Sequence, residues 1–134
     1  MPKRVLIASV ALGLVLTACS TKRESEGNPC VTTPASIADP KLPTPFPEMT
    51  GVTWTATNQA GPSEIVQGYT GDTLTDAFRQ MKEKFGKDGF SVEKDERDPH
   101  DAEVNFVGAQ VRGQVRLGEE CHGRTSVRIT IRPK

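Results

Sequence analysis

The chain has 134 residues, with 17 basic against 17 acidic side chains, 35% hydrophobic residues and few aromatics (one Trp, one Tyr, five Phe). That length suits one domain of modest core. The even charge balance excludes the basic excess of a nucleic-acid binder, and the scarcity of aromatic rings leaves the core to Val, Ile, Leu and Ala.

The first element is an apolar run, Val5 to Thr17, preceded by Lys3 and Arg4 and ending at Cys19. Its 13 residues fall short of the roughly 18 or more needed to span a bilayer and fit a secretory h-region. Small residues precede the cysteine. The stretch Leu16-Thr17-Ala18-Cys19 resembles the lipobox of bacterial lipoproteins. That resemblance implies a diacylglyceryl thioether on the Cys19 sulfur and cleavage after Ala18, leaving a mature chain of 116 residues with 15 basic and 17 acidic groups. Two acyl chains hold a protein on a membrane where one is marginal, at about 0.8 kcal/mol per buried methylene. The implied location is the cell membrane, lipid-anchored, facing the extracytoplasmic side.

Residues 19–48 read as a lipidated, polar and proline-rich tether, with prolines at 29, 34, 40, 43, 45 and 47 that favour extended backbone. Cys30 and Cys121 remain once Cys19 is assigned to lipid. Disulfides are permitted outside the plasma membrane, so a Cys30–Cys121 bond is expected, two free thiols or an intermolecular bond being the alternatives. With that bond, only about ten residues would swing freely, reaching roughly 35 Å, and residues 31–47 would lie along the domain surface.

The small domain is expected over 49–134. "GVTWTAT" alternates Val52, Trp54 and Ala56 with threonines, and "SEIVQGYT" follows a Gly61-Pro62 turn; both predict strands. Leu74, Ala77, Phe78, Met81 and Phe85 share one face of a helix. Thr73 is the expected N-cap, with Asp76 in the capping-box position, and Gly86 or Gly89 ends the helix. "FSVEKDERD" predicts a charged edge strand. "AEVNFVGAQVRGQVRL" predicts a hairpin turning at Gly108-Ala109, a register that opposes Phe106 with Val111, Val104 with Gly113 and Asp101 with Arg116. "GEECHGR" is expected as a loop and "TSVRITIR" as the last strand. The sum is an α+β two-layer sandwich, one helix on a mainly antiparallel sheet of about five or six strands. The predicted core is Val52, Trp54, Leu74, Phe78, Met81, Phe85, Val104, Phe106, Val111, Val115, Val127, Ile129 and Ile131. The globular part, through "GYTGDTLTDAF", is similar only in a general way to small extracytoplasmic lipoproteins of high-GC Gram-positive bacteria, and no residue role carries over.

On the outward side of the last strands lie Arg112, Arg116, Arg128 and Arg132. Arginine binds phosphate or carboxylate through a planar fork of paired donors. The plainer reading of that side is a solvated polar surface, and an anion-binding face is the candidate weighed against it. Its partner would be an acidic envelope polymer, a lipid headgroup or an acidic protein. His100 and His122 lack zinc-ligand spacing, so no metal or other cofactor is expected. No nucleophile elbow, phosphate loop or dinucleotide motif occurs, so no catalytic residue is assigned. The expected role is a cell-envelope lipoprotein with a non-catalytic binding or interaction domain. A structural subunit of a larger envelope complex is the alternative, and a small hydrolase is less favoured.

Overall fold

Alternating apolar and polar residues place one face of each strand against a common core, and the six strands pair accordingly. In the computed structural model, which describes residues 28–134, β1 (Val52–Ala60), β2 (Ser63–Thr70), β3 (Ser91–Arg97), β4 (Asp101–Val107), β5 (Val111–Cys121) and β6 (Arg124–Pro133) form one sheet. Its order is β1-β2-β6-β5-β4-β3, and every pairing is antiparallel. Helix α1 (Leu74–Phe85) packs on β3, β4 and β5. This is the expected α+β two-layer sandwich. The leader over 1–18 and the lipidation residue Cys19 lie outside the described residues.

The helix starts where its cap chemistry requires. The Thr73 hydroxyl accepts from the Asp76 amide at 3.2 Å and donates to the Asp76 carboxylate at 2.9 Å, satisfying an amide that has no partner within the helix. Leu74, Ala77, Met81 and Phe85 are buried, and Phe78 is partly buried against the same core. Behind the cap, the Thr125 hydroxyl donates to the Asp72 carbonyl at 2.8 Å, while the Asp72 carboxylate accepts from Thr70 and Gln80. Among the described residues Thr70 and Thr125 are the two buried polar ones, so the helix entrance is bolted to β2 and β6 by satisfied hydrogen bonds.

The core holds more than the predicted set. Met49, Val66, Ala77, Phe90, Ala102 and Leu117 are also buried, whereas Val52, Trp54, Phe78 and Val111 sit at its margin. The Phe85 and Phe106 rings stack at 4.2 Å, and Phe46 meets them edge-on at 5.5 and 5.8 Å. Phe46 belongs to the proline-rich stretch. That stretch is tied to the body along its length. The Ile37 amide donates to the Trp54 carbonyl at 2.9 Å, the Thr57 hydroxyl donates to the Pro40 carbonyl at 2.8 Å, and Lys84 Nζ donates to the Glu48 carbonyl at 2.5 Å. From Asn28 onward the stretch expected within the 19–48 tether therefore lies along the domain, the arrangement expected once Cys30 is bonded to Cys121.

Two turns differ from expectation. In the β4–β5 hairpin Val107 pairs with Arg112, Phe106 with Gly113, Val104 with Val115 and Glu103 with Arg116. The tight turn is thus Ala109-Gln110, closed by Gly108 N–H donating to the Val111 carbonyl at 2.8 Å. Shifting the turn by one residue moves each partner by two, so the inward set is unchanged, but Arg116 faces Glu103 rather than Asp101. Gly108 is needed for space, because a Cβ there would meet the Phe90 ring at 2.5 Å. The second difference is the loop expected at 118–124. β5 continues to Cys121, which pairs with Arg124 across His122-Gly123, and Gly123 supplies a φ of 76° that L side chains rarely adopt. Here the strands project past the core, where no buried face imposes alternation on the sequence.

Candidate functional site

Side-chain alternation sends Arg112, Gln114 and Arg116 of β5 to the sheet face opposite α1, with Arg128, Thr130 and Arg132 of β6 beside them. The register sets Arg112 directly across from Arg132, Gln114 across from Thr130 and Arg116 across from Arg128. All four predicted arginines thus come together, as two facing pairs separated by one neutral row. Directly opposed side chains have Cβ atoms about 4.5–5.5 Å apart, and like charges in that relation are unfavourable.

One pair is relieved and the other is not. Arg116 Nε lies 3.7 Å from Glu103 Oε2. Gln114 Nε2 donates to Glu103 Oε1 at 2.9 Å and to Asn105 Oδ1 at 3.3 Å, which holds Glu103 in place. Among the described residues, Arg112, Arg128 and Arg132 form no ion pair. Arg112 and Arg132 border a shallow concavity of about 260 Å³ whose lining includes Ser63, Glu93, Asn105, Gln114 and Thr130. The chemistry offered is two guanidinium forks beside neutral donors and acceptors and one carboxylate. Gln114 and Thr130 were within reach of the sequence, since they lie two residues from the arginines on the same face. Ser63, Asn105 and Glu93 required the strand order and the β3 bulge between Val92 and Lys94.

The other candidates separate in space. Cys30 and Cys121 are joined, with Cα atoms 5.2 Å apart and a sequence separation of 91. Pro29 bridges to His122 in parallel fashion, and the His122 amide donates to the Asn28 carbonyl at 2.9 Å. The incoming chain is therefore fixed at the β5–β6 turn. A hollow of about 450 Å³ next to it includes Asp72, His100, Glu119 and His122. His100 Nδ1 lies 2.9 Å from Glu119 Oε2, and Asp72 is committed to Thr70 and Gln80. Among the described residues no group of three or more His, Cys, Asp or Glu side chains is arranged to hold a metal ion. Ser126 spends its hydroxyl on the Gly118 carbonyl at 3.1 Å.

The shifted ionisations belong to the helix. Asp76 is held below the ordinary carboxylate range by the Thr73 hydroxyl and then by Arg79, and Arg79 is raised by its bond to Asp76. Both groups are solvent-facing and serve the helix start. No helix of the described residues is long and apolar enough to cross a membrane. No family model, curated protein or solved structure matches the chain.

Proposed function

We propose that this chain is a cell-envelope lipoprotein, anchored through Cys19, whose extracytoplasmic domain is a non-catalytic binding module for anionic partners. The observation that carries the reading is the facing arrangement of Arg112 with Arg132 and Arg116 with Arg128, of which Glu103 neutralises one member. A sheet face that needed only solubility gains nothing from opposing like charges, whereas an incoming phosphate or carboxylate relieves that repulsion and accepts from both forks. The anchor reading rests on the charged start, the short apolar run and the Leu-Thr-Ala-Cys stretch.

An accessory subunit would need a broad apolar patch for a permanent contact. Among the described residues Val31 is the single large hydrophobic side chain that is well exposed, and a further apolar hollow, lined by Leu42, Pro43, Phe46 and Trp54, opens beside the proline-rich stretch. The test is binding of mature chain to a panel of anionic ligands (a glycerol-phosphate polymer, polygalacturonate and phosphatidylglycerol vesicles). Wild type is expected to bind at least one in a salt-sensitive manner, and a variant with all four arginines changed to glutamine is expected to lose it. Equal binding by the two proteins, or none by either, removes the proposal. Mass spectrometry of the native product tests the anchor, with diacylglyceryl-modified Cys19 as the new amino terminus expected.

A further inference from the structure

The arginine face is not uniform along the strands. Resting on the anion-binding and Cys19-anchor readings above, we infer that the ligand is an anionic, hydroxyl-bearing polymer of the cell envelope, bound at the Arg112–Arg132 end of the sheet. The chain reaches the domain at Asn28–Cys30, where the Cys30–Cys121 bond and the Pro29–His122 bridge hold it to the β5–β6 turn. Arg112 lies at the opposite end of β5. Nine residues of strand at about 3.3 Å each separate Arg112 from Cys121 by about 30 Å. That is several times the roughly 8 Å screening length at physiological salt, so headgroups lying against the Cys30–Cys121 end would have little hold on Arg112 or Arg132.

Acidic and basic groups occur at both ends: Glu119, Glu120, Asp98 and Asp101 stand with Arg97 and Arg124 at the anchored end, and Arg112, Arg132 and Lys134 with Glu64 and Glu93 at the far end. Within the concavity, Ser63, Asn105, Gln114 and Thr130 add neutral hydrogen-bonding groups next to the two forks. That mixture fits a phosphate or carboxylate on a polyhydroxylated chain better than a bare inorganic anion, because it also satisfies neighbouring hydroxyls. Arg116 and Arg128 form the secondary pair, since Glu103 already occupies Arg116.

The test compares two variants of mature chain that each remove two charges, R112Q/R132Q and R116Q/R128Q. The probes are a glycerol-phosphate polymer, polygalacturonate and phosphatidylglycerol vesicles. The first two distinguish phosphate from carboxylate as the recognised group, and the vesicles present phosphate on a membrane. Loss of charge-assisted hydrogen bonds is expected to weaken polymer binding about tenfold or more in R112Q/R132Q, and no more than about threefold in R116Q/R128Q, where charge is lost but few such bonds are. All four side chains are exposed, and near-native melting temperatures are expected in both variants. Equal losses in the two variants, or a greater loss in R116Q/R128Q, overturn the assignment while leaving an anion-binding face standing. Vesicle binding as tight as polymer binding, and lost through the same pair, overturns the choice of ligand. Absence of wild-type binding to all three probes removes the anion-binding reading itself.

Discussion

The Phe46 ring, from a stretch dense in prolines, stands edge-on to Phe85 of the helix with centroids 5.5 Å apart and an interplanar angle of 83°. It also meets Phe90 at 5.7 Å and Phe106 at 5.8 Å. Such T-shaped contacts contribute beyond the area they bury. In a chain with five Phe, four of them form one cluster. The proline-rich segment therefore contributes to the core that α1 and the sheet share.

Truncating that ring should loosen the whole domain. Phe46→Ala is expected to cost about 2 kcal/mol, below the full range for Phe truncation because the ring is half-buried. In a domain of this size that lowers the melting temperature by roughly 10 °C. Thermal unfolding followed by circular dichroism checks it. An unchanged melting temperature would mean that the segment is a loose tether after all.

The Cys30–Cys121 bond closes nearly the entire described chain into one loop. Replacing both cysteines by serine is expected to cost about 4 kcal/mol by the chain-entropy account. Reductant should destabilise wild type to the same level and leave the double variant unaffected. Two titratable thiols in unreduced protein would contradict the pairing.

Much of this fold is legible in the sequence. The Leu74–Phe85 spacing and the Thr73 cap locate the helix, because both signals are local and chemical. Strand faces follow from period-two alternation, and with them the outward side of all four arginines. Pairing partners are another matter. Glycine suits a tight turn at Gly108-Ala109, yet Gly108 serves to admit the Phe90 ring, a contact 18 residues away. The facing of Arg112 by Arg132 depends on β6 inserting between β2 and β5, which no single-strand pattern encodes. That the proline stretch lies along the domain follows from the cysteine pairing, but the contact of Phe46 with the core does not, since Phe46 is an isolated apolar residue with no periodic neighbours.

Glycine at 113 is a second place where space decides. A Cβ there would run into the Thr130 carbonyl and meet Phe106 Cζ at 2.6 Å. Gly113→Ala is expected to cost about 2–3 kcal/mol through overpacking, whereas Gly71→Ala, with open space around it and no left-handed backbone, should cost little. Chemical denaturation midpoints of the two variants compare them directly. Equal midpoints would place the β5–β6 register in doubt.

Acid stability carries a small signature of the helix cap. Asp76 is held below its ordinary range by the Thr73 hydroxyl and Arg79, so its folded value lies beneath its unfolded one. Its stabilising contribution is therefore full above the unfolded value and lost as pH falls through the folded value. Wild type is expected to exceed Asp76→Asn in stability at neutral pH, with the gap closing once the pH drops beneath the carboxylate range. A gap that is constant from neutral to strongly acid pH would show that ionisation of Asp76 is not its source.

The most direct measurement is an isotope-edited NMR titration of mature chain with the anionic polymer that binds best, following backbone amides and arginine Nε–H groups. The expected shifts centre on Arg112, Gln114, Thr130 and Arg132, with smaller changes at Arg116 and Arg128. Shifts gathered instead on the helix lysines Lys82, Lys84 and Lys87, or spread evenly over every cationic side chain, would contradict a binding face on this sheet.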